Sequence, residues 1–170
     1  MPHTHEHNPR RSTPLSDLDP DLTDLSRRVI GCAIEVHKDL GPGYPLEIYR
    51  AALLHELKEE EIPAEEHKPY EVEYDERTIG SVHADLSIRD RFLLNICAED
   101  REVTGGQRSA LRAVLRAADL ELGLIINFGQ RRLKDGLVRV LNPDALRDDD
   151  EEDEGEGEGE GDGYTEDHDD

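Results

Sequence analysis

Two runs of almost uninterrupted apolar residues, 92–98 and 122–128, set the strongest constraint on how this chain can fold. Each run has the length of a strand, and neither shows the alternation expected of a strand with one solvent face. The interval between them has helical spacing, with Leu111, Val114 and Leu115 on one side. A helix that joins two buried strands favours a parallel crossover, so both runs should lie inside a sheet that is covered on both faces.

Two helices are predicted before the strands. Apolar residues recur at spacings of three and four over 25–40, and the Gly-Pro-Gly at 41–43 ends that pattern because proline cannot continue the hydrogen-bond ladder. A second helix is predicted over 45–62. We expect its apolar stripe to consist of Ile48, Ala52, Leu53 and Leu57.

The apolar period changes to two after the second helix. Residues 70–74 alternate tyrosine or valine with glutamate, which predicts a strand with one covered face. A second strand is predicted over 79–88, and the polar turn at 89–91 should join it to strand 92–98 as a hairpin. A last strand is predicted over 137–141.

The predicted element order is α-α-β-β-β-α-β-β. It indicates an α/β sandwich in which helices flank a mixed central sheet of about four to five strands. A doubly wound parallel fold would alternate strands and helices along the whole chain, so this order excludes it.

Charge divides the chain into three parts. The net charge is −22, but residues 148–170 hold 15 acidic side chains and no Lys or Arg, which leaves a net charge of −7 for the rest. We predict a disordered, histidine-containing start at 1–15, a folded domain at 16–143 and a disordered acidic Glu/Gly tail at 144–170.

Composition indicates a cytoplasmic protein. No stretch approaches the roughly 20 apolar residues of a membrane helix, and the first residues lack the apolar core of a secretory signal. Two cysteines, Cys32 and Cys97, are too few for a disulfide framework, so reduced thiols are expected.

Three separated segments resemble a known family. The block VIGCAIEVH at 29–37 with LGPG at 40–43, then ADL at 84–86, then LGLIINFG at 122–129, looks very similar to the signatures of GxxExxY proteins. The matches cover about residues 22–142 in the expected order and spacing. The resemblance implies the nuclease-like fold of the PD-(D/E)xK superfamily.

The resemblance also implies a chemistry. In that superfamily a helix glutamate, a strand aspartate and the acid of an E-x-K pair surround a divalent metal ion, and the lysine helps to position or activate water. Mg²⁺ or Mn²⁺ suits such oxygen ligands. The metal polarises the phosphate and lowers the pKa of water, and a nearby cation stabilises the developing charge.

The helix glutamate of the family is absent at its expected position. Counting back from Tyr49, the family's glutamate falls on Leu46, with Glu47 one residue away. A shift of one residue on a helix rotates the side chain by about 100°, which makes Glu47 a poor substitute unless the helix begins differently.

The strand positions have changed as well. Asp85 is retained, but Asn95 stands at the acid and Cys97 at the lysine of the E-x-K pair. The usual glutamine of the following helix falls on Ala110, with Gln107 one turn earlier. Strand alternation puts the side chains at 95 and 97 on one face, the face on which Asp85 is expected.

Two functions follow from these positions. The leading hypothesis is a non-catalytic binding or regulatory module that requires no cofactor and retains a degenerate nuclease-like site. The alternative is a nuclease that uses Mg²⁺ or Mn²⁺ with a shifted carboxylate set of Asp85, Glu47 and Glu35.

A zinc site is a third, weaker hypothesis. His83 and Asp85 would share a face of the predicted strand over 79–88, and Cys97 would lie opposite. These are competent zinc ligands, but their spacing is not that of a zinc motif, and an unpaired cysteine is often simply buried.

Four residues of the family-like segments are candidates for binding. Glu35 and His37 belong to the best-matched block, where they line a polar pocket or, for His37, cap the end of the first helix. They are two residues apart and do not share a helix face. Tyr49 and Gln107 complete this set.

Basic side chains offer a surface for a polyanion. One stripe runs along the helix after strand 92–98, and a second cluster follows strand 122–128; the residues are Arg108, Arg112, Arg116, Arg131, Arg132 and Lys134. They could contact the phosphates of a nucleic acid or form an ordinary solvated surface with local acidic partners. The acidic tail opposes nucleic-acid binding, and it could be autoinhibitory, bind a basic partner or cations, or only keep the protein soluble.

Overall fold

A computed structural model describes residues 18–144 of the chain. These residues form an α/β domain of three α-helices and a mixed five-stranded sheet, which confirms the predicted fold class. The predicted disordered segments at 1–15 and, apart from Asp144, at 144–170 lie outside the described residues, as do all three histidines of the N-terminal segment.

Helices α1 (Pro20–Leu40) and α2 (Leu46–Glu59) form the predicted helical pair. The Asp19 side chain caps α1 by accepting a hydrogen bond from the Asp21 N–H, and proline occupies the first turn. Gly41 ends the helix at φ 68°, a backbone conformation that an L side chain rarely adopts. The stop expected at the Gly-Pro-Gly segment is therefore confirmed.

The apolar stripe of α2 is confirmed at Leu53 and Leu57, and it differs from the prediction at its first position. Tyr49, rather than Ile48, is buried together with Leu53 and Leu57, and Ile48 is 45% exposed. The stripe i, i+4, i+8 that begins at Tyr49 is the face that meets the sheet, because the tyrosine ring stacks on Phe128.

The five-stranded sheet has the order β1-β4-β5-β6-β7, and β2 and β3 form a separate hairpin. The strands are β1 (Ala64–Glu66), β2 (Tyr70–Tyr74), β3 (Arg77–Val82), β4 (Leu86–Ile88), β5 (Phe92–Cys97), β6 (Leu122–Asn127) and β7 (Leu137–Leu141). Helix α3 (Gly105–Ala118) connects β5 to β6, and a short 3₁₀ helix (Leu133–Gly136) precedes β7.

The central strands pair as the apolar runs predict. Strand β5 lies between β4 and β6 and runs parallel to β6, with the crossover made by α3. Strands β4 and β5 form the expected antiparallel hairpin. Its turn residues Arg89 and Asp90 both have positive φ, the geometry that a type I′ turn requires.

Two apolar clusters cover the two faces of the sheet. Helices α1 and α2 pack against one face, where Leu94, Ile96 and Phe128 are buried. Helix α3 packs against the other face, over Leu93 and Ile125. Burial on both faces explains why β5 and β6 carry almost no polar residues.

The predicted strand over 79–88 is divided in two. Strand β3 pairs only with β2, β4 pairs with β1 and β5, and the segment His83-Ala84-Asp85 between them is not a strand. The break lets the β2–β3 hairpin turn toward α3, where Tyr70 and Val82 pack against the α3 cluster. The expectation that His83 and Asp85 share one strand face is therefore wrong.

Within residues 18–144, none of the helices combines the length and the apolar character that crossing a bilayer demands.

Candidate functional site

Asp85 is held against strand β5 at the position where the β4–β5 ladder ends. Its carboxylate accepts a hydrogen bond of 2.8 Å from the Ile96 N–H, and its own N–H donates to the Asn95 side-chain oxygen at 2.9 Å. The last ladder pair is Leu86 with Leu94, so these two bonds extend the pairing by one residue. The sequence prediction that Asp85 and Asn95 lie together is confirmed, and the contact is made by mutual side-chain-to-backbone bonds.

Cys97 follows Asn95 on the same side of β5. It packs against the α3 cluster, whereas Ile96 between them is buried in the α1–α2 cluster. Burial, and after it the negative charge of Glu99, raise the pKa of the Cys97 thiol to about 11, while the hydrogen bond with the Gln107 side chain acts to lower it. A cysteine side chain is neutral or anionic, so this position supplies no positive charge.

Gln107 completes the cap of helix α3. Its side-chain oxygen accepts a hydrogen bond of 2.8 Å from the Thr104 N–H, and the Thr104 hydroxyl accepts one of 3.2 Å from the Gln107 N–H. This capping box satisfies two backbone donors of the first turn. Gln107 thus stands beside Cys97, held in place by the start of α3.

Glu99 and Arg101 adjoin the site and were not selected from the sequence. The Arg101 Nε lies 2.8 Å from the Glu99 carboxylate, and this ion pair lowers the pKa of Glu99. Both residues lie in the loop that follows the last residue of β5, so no strand or helix periodicity in the sequence singled them out. A carboxylate and a cation therefore stand at the end of β5, although the two neutralise each other.

Asn127 fixes the loop that carries this ion pair. Its side-chain oxygen accepts from the Glu99 N–H at 2.9 Å and the Gly129 N–H at 3.0 Å. Its amide nitrogen donates to the Glu99 carbonyl at 3.0 Å and the Arg101 carbonyl at 2.8 Å. A Cβ added at Gly129 would lie 2.5 Å from the Glu99 backbone, so the two segments approach as closely as a glycine allows.

His37 joins helix α1 to the same loop. Its ring Nε2 lies 2.9 Å from the Gln130 carbonyl, which can only accept, so Nε2 carries the hydrogen. The Gln130 amide in turn donates to the Arg101 carbonyl at 2.8 Å. Glu35 is exposed and lies 3.5 Å from Lys38, so it points away from this network. Glu35 and His37, the two candidate residues of the segment 29–37, are therefore separated in the structure.

The α2 candidates are on the opposite side of the sheet from Asn95 and Cys97. Leu46 packs against the α1–α2 cluster, and Glu47 is exposed in the first turn of α2. Tyr49 is buried, with its ring stacked 4.8 Å from Phe128 and its hydroxyl donating to the Gly41 carbonyl.

The donor atoms at the family position fit Mg²⁺ poorly. Asp85 contributes one carboxylate, Asn95 an amide oxygen already bonded to a backbone N–H, and Cys97 a neutral thiol. Mg²⁺ is usually bound in proteins through one or two carboxylates, with waters and substrate phosphates as its other ligands, so this position supplies only the minimum. In the described part of the chain, no three His, Cys, Asp or Glu side chains form a group that could hold a metal ion. His83 is exposed and its ring contacts His67, with 5.0 Å between the ring centroids.

The two predicted basic groups are both on the surface. Arg108 and Arg116 are exposed on α3, and Arg112 is half-buried. Arg131, Arg132 and Lys134 are exposed around the 3₁₀ helix.

The element order, the mixed sheet and the aspartate at the start of β4 define a nuclease-like α/β domain. The sequence model of the PD-(D/E)XK nuclease superfamily matches residues 23–140, which is more than half of the chain, and the protein belongs to that superfamily. Neither the curated proteins nor the solved structures include a match to this chain.

Proposed function

We propose that this protein is a GxxExxY-type member of the superfamily that acts as a binding or regulatory module and does not cleave phosphodiester bonds. One observation carries the proposal: the Asp85 carboxylate and the Asn95 amide are each engaged with backbone N–H groups of the other's strand segment. Side chains used in this way are fixed to the sheet, and together they offer a metal ion one carboxylate and one neutral amide in place of the two acids of the family.

The residue at the lysine position supports the same conclusion. A lysine there would supply a cation near the developing charge, whereas a cysteine cannot carry a positive charge, and the raised pKa of about 11 keeps the Cys97 thiol protonated at neutral pH. Arg101 is the cation beside Cys97, but it is paired with Glu99. A guanidinium does not lose its proton in proteins, so Arg101 cannot act as a base toward water.

The GxxExxY assignment rests on the order and spacing of three segments, 29–43, 84–86 and 122–129. The cytoplasmic location that we infer is consistent with two free cysteines, Cys32 and Cys97.

A cleavage assay tests the proposal directly. Single- and double-stranded DNA are incubated with the full-length chain and Mg²⁺ or Mn²⁺, beside Asp85→Ala as the matched control. A third protein with the acids at 148–154 changed to amides shows whether the acidic tail suppresses an activity. We expect all three to give the rate of the buffer alone. Cleavage by the wild type or by the amide variant would contradict the proposal if introducing Asp85→Ala into the same protein abolishes it.

A restored E-x-K pair provides the complementary test. The double variant Asn95→Glu/Cys97→Lys should bind Mn²⁺ more tightly than the wild type, measured by calorimetry, because it adds a carboxylate beside Asp85. Equal and strong Mn²⁺ binding by the wild type would show that the present donor set already holds a metal.

A further inference from the structure

Helix α3 presents a stripe of three arginines, Arg108, Arg112 and Arg116, which we call the arginine face. They are spaced by four residues, so their side chains follow one side of the helix. The helix contains no Asp or Glu, and none of the three can pair within it. The sequence left open that local acidic side chains pair with these arginines. Helix α3 itself contains no such side chain.

One arginine of the face has an ion-pair partner, and that partner is the last residue that the structure describes. The Arg116 Nε lies 3.3 Å from the Asp144 carboxylate. Over residues 18–144, the side chains of Arg108 and Arg112 make no hydrogen bond or ion pair. The acidic part of the chain thus begins on the arginine face, where two further cations remain without a partner.

The point at which the chain leaves the domain is fixed at the end of α3. The Asn142 N–H donates to the Glu121 carbonyl at 2.9 Å, and its side-chain amide donates to the Leu120 carbonyl at 3.2 Å and the Leu115 carbonyl at 3.5 Å. The Asp144 N–H then donates to the Asn142 side-chain oxygen at 3.1 Å. These bonds hold the start of the tail beside Arg116.

We propose that the acidic tail docks on the arginine face of α3, with residues 148–154 as the contacting segment. This segment reads DDDEEDE, seven acids in a row. The first of them, Asp148, is four positions after Asp144, and this length of chain spans up to about 14 Å when extended. Arg116 and Arg108 are eight residues apart on the helix, which is about 12 Å. The segment therefore reaches every arginine of the face.

Tethering and charge both favour the acidic tail as the segment that binds the arginine face. A segment attached a few residues away has an effective concentration on the order of millimolar, above that of any free acidic peptide at ordinary protein concentration. The groove between α3 and the β2–β3 hairpin carries Glu71 and Glu73 on its far wall, which repel the tail toward the arginine side. Docking neutralises cations that would otherwise attract a polyanion.

Arginine side-chain NMR of the full-length chain tests the docking. The matched variant changes the acids at 148–154 to Asn or Gln, and a control variant makes the same change at Glu156, Glu158, Glu160 and Asp162. We expect the Nε–Hε signals of Arg108 and Arg112 to differ between wild type and the matched variant, with a smaller change in the control variant. The difference should vanish in about 0.5 M NaCl because salt screens exposed pairs.

Two outcomes would overturn the docking. Signals of Arg108 and Arg112 that are identical in wild type and matched variant would show that the tail does not touch the face, as would shifts confined to Arg131 and Arg132. A difference that changes over a roughly tenfold range of protein concentration would assign the contact to the tail of a second copy.

Binding of an oligothymidylate of roughly 20 nucleotides gives an independent readout. The matched variant should bind this probe about tenfold or more tightly than the wild type, because the tethered competitor is gone. Adding Arg108→Gln and Arg112→Gln to the matched variant should return the affinity to the wild-type level. Equal affinities for wild type and matched variant would show that the tail does not cover the face.

Discussion

Asn95 and Asn127 are two asparagines on neighbouring strands of one sheet, and the structure uses them very differently. Asn127 is 1% exposed and makes four hydrogen bonds, three to the loop at 99–101 and one to the Gly129 N–H. Asn95 is half-buried and makes one, to the Asp85 N–H. Asn127, whose amide oxygen and nitrogen both have hydrogen-bond partners, is part of the structural scaffold. Asn95 retains unused hydrogen-bonding capacity at the position where the family has an acid.

The largest effect is expected from Asn127→Ala. The change removes four hydrogen bonds, and the Glu99 and Gly129 N–H groups lose the side-chain oxygen to which they donate. We expect the free energy of unfolding to fall by about 3 kcal/mol, measured by urea denaturation with an unchanged m value. Asn127→Asp keeps the acceptor bonds but turns a carboxylate oxygen toward the Glu99 and Arg101 carbonyls, so it should destabilise the fold as well. A loss below about 1 kcal/mol for Asn127→Ala would break the contrast with Asn95.

Gly129→Ala should come second. The added methyl meets the Glu99 backbone, which cannot give way as a side-chain tip would. We expect a loss of about 2 kcal/mol in the same denaturation assay. Gly105→Ala is the matched control, because nothing lies within 4 Å of a Cβ there, and it should change stability by less than about 0.5 kcal/mol. Equal losses for the two variants would show that the close approach does not constrain the loop.

Asn95→Ala should have a smaller effect than either. It removes one hydrogen bond from a half-buried side chain, so we expect a loss of about 1 kcal/mol. Asn95→Asp retains the acceptor and serves as the control. If Asn95→Ala lowers the free energy of unfolding as much as Asn127→Ala does, then position 95 is as much a part of the scaffold as position 127.

The smallest effect concerns the protonation of Cys97. Its pKa of about 11 lies above the ordinary value near 8.5, so the folded chain holds the thiol proton more tightly than the unfolded chain does. The resulting stability is complete below about pH 8.5 and is lost as pH rises toward 11. Peptide-resolved iodoacetamide labelling should give an inflection near that value, compared with an unfolded sample. An inflection at the ordinary thiol value would contradict burial as the cause.

The fold was predictable where burial leaves a periodic pattern. The apolar runs at 92–98 and 122–128 predicted β5, β6 and the parallel crossover, because a strand covered on both faces needs apolar residues at every position. Strand β1 was missed, since Ala64-Glu65-Glu66 has no strand pattern of its own and becomes a strand only by pairing with β4.

The candidate site was likewise predictable only where it depends on the periodicity of a strand. Alternation along β5 brought Asp85, Asn95 and Cys97 together, and the structure confirms the contact between the first two. The Asn127 network was not predicted, because hydrogen bonds from a side chain to a distant loop backbone leave no periodicity in the sequence. The break in the predicted strand at Asp85 was missed for a related reason. The turn of the β2–β3 hairpin toward α3 is determined by tertiary packing and not by the local sequence.

The two edges of the sheet differ in how readily they would accept a strand from another molecule. Strand β1 is three residues long and carries two exposed glutamates, and a short charged edge resists intermolecular pairing. Strand β7, at the other edge, reads LVRVL, and Arg139 is its one exposed residue. Aggregation of the concentrated protein by edge-to-edge addition should therefore proceed through β7, and a second charge on that strand would be the rational way to suppress it.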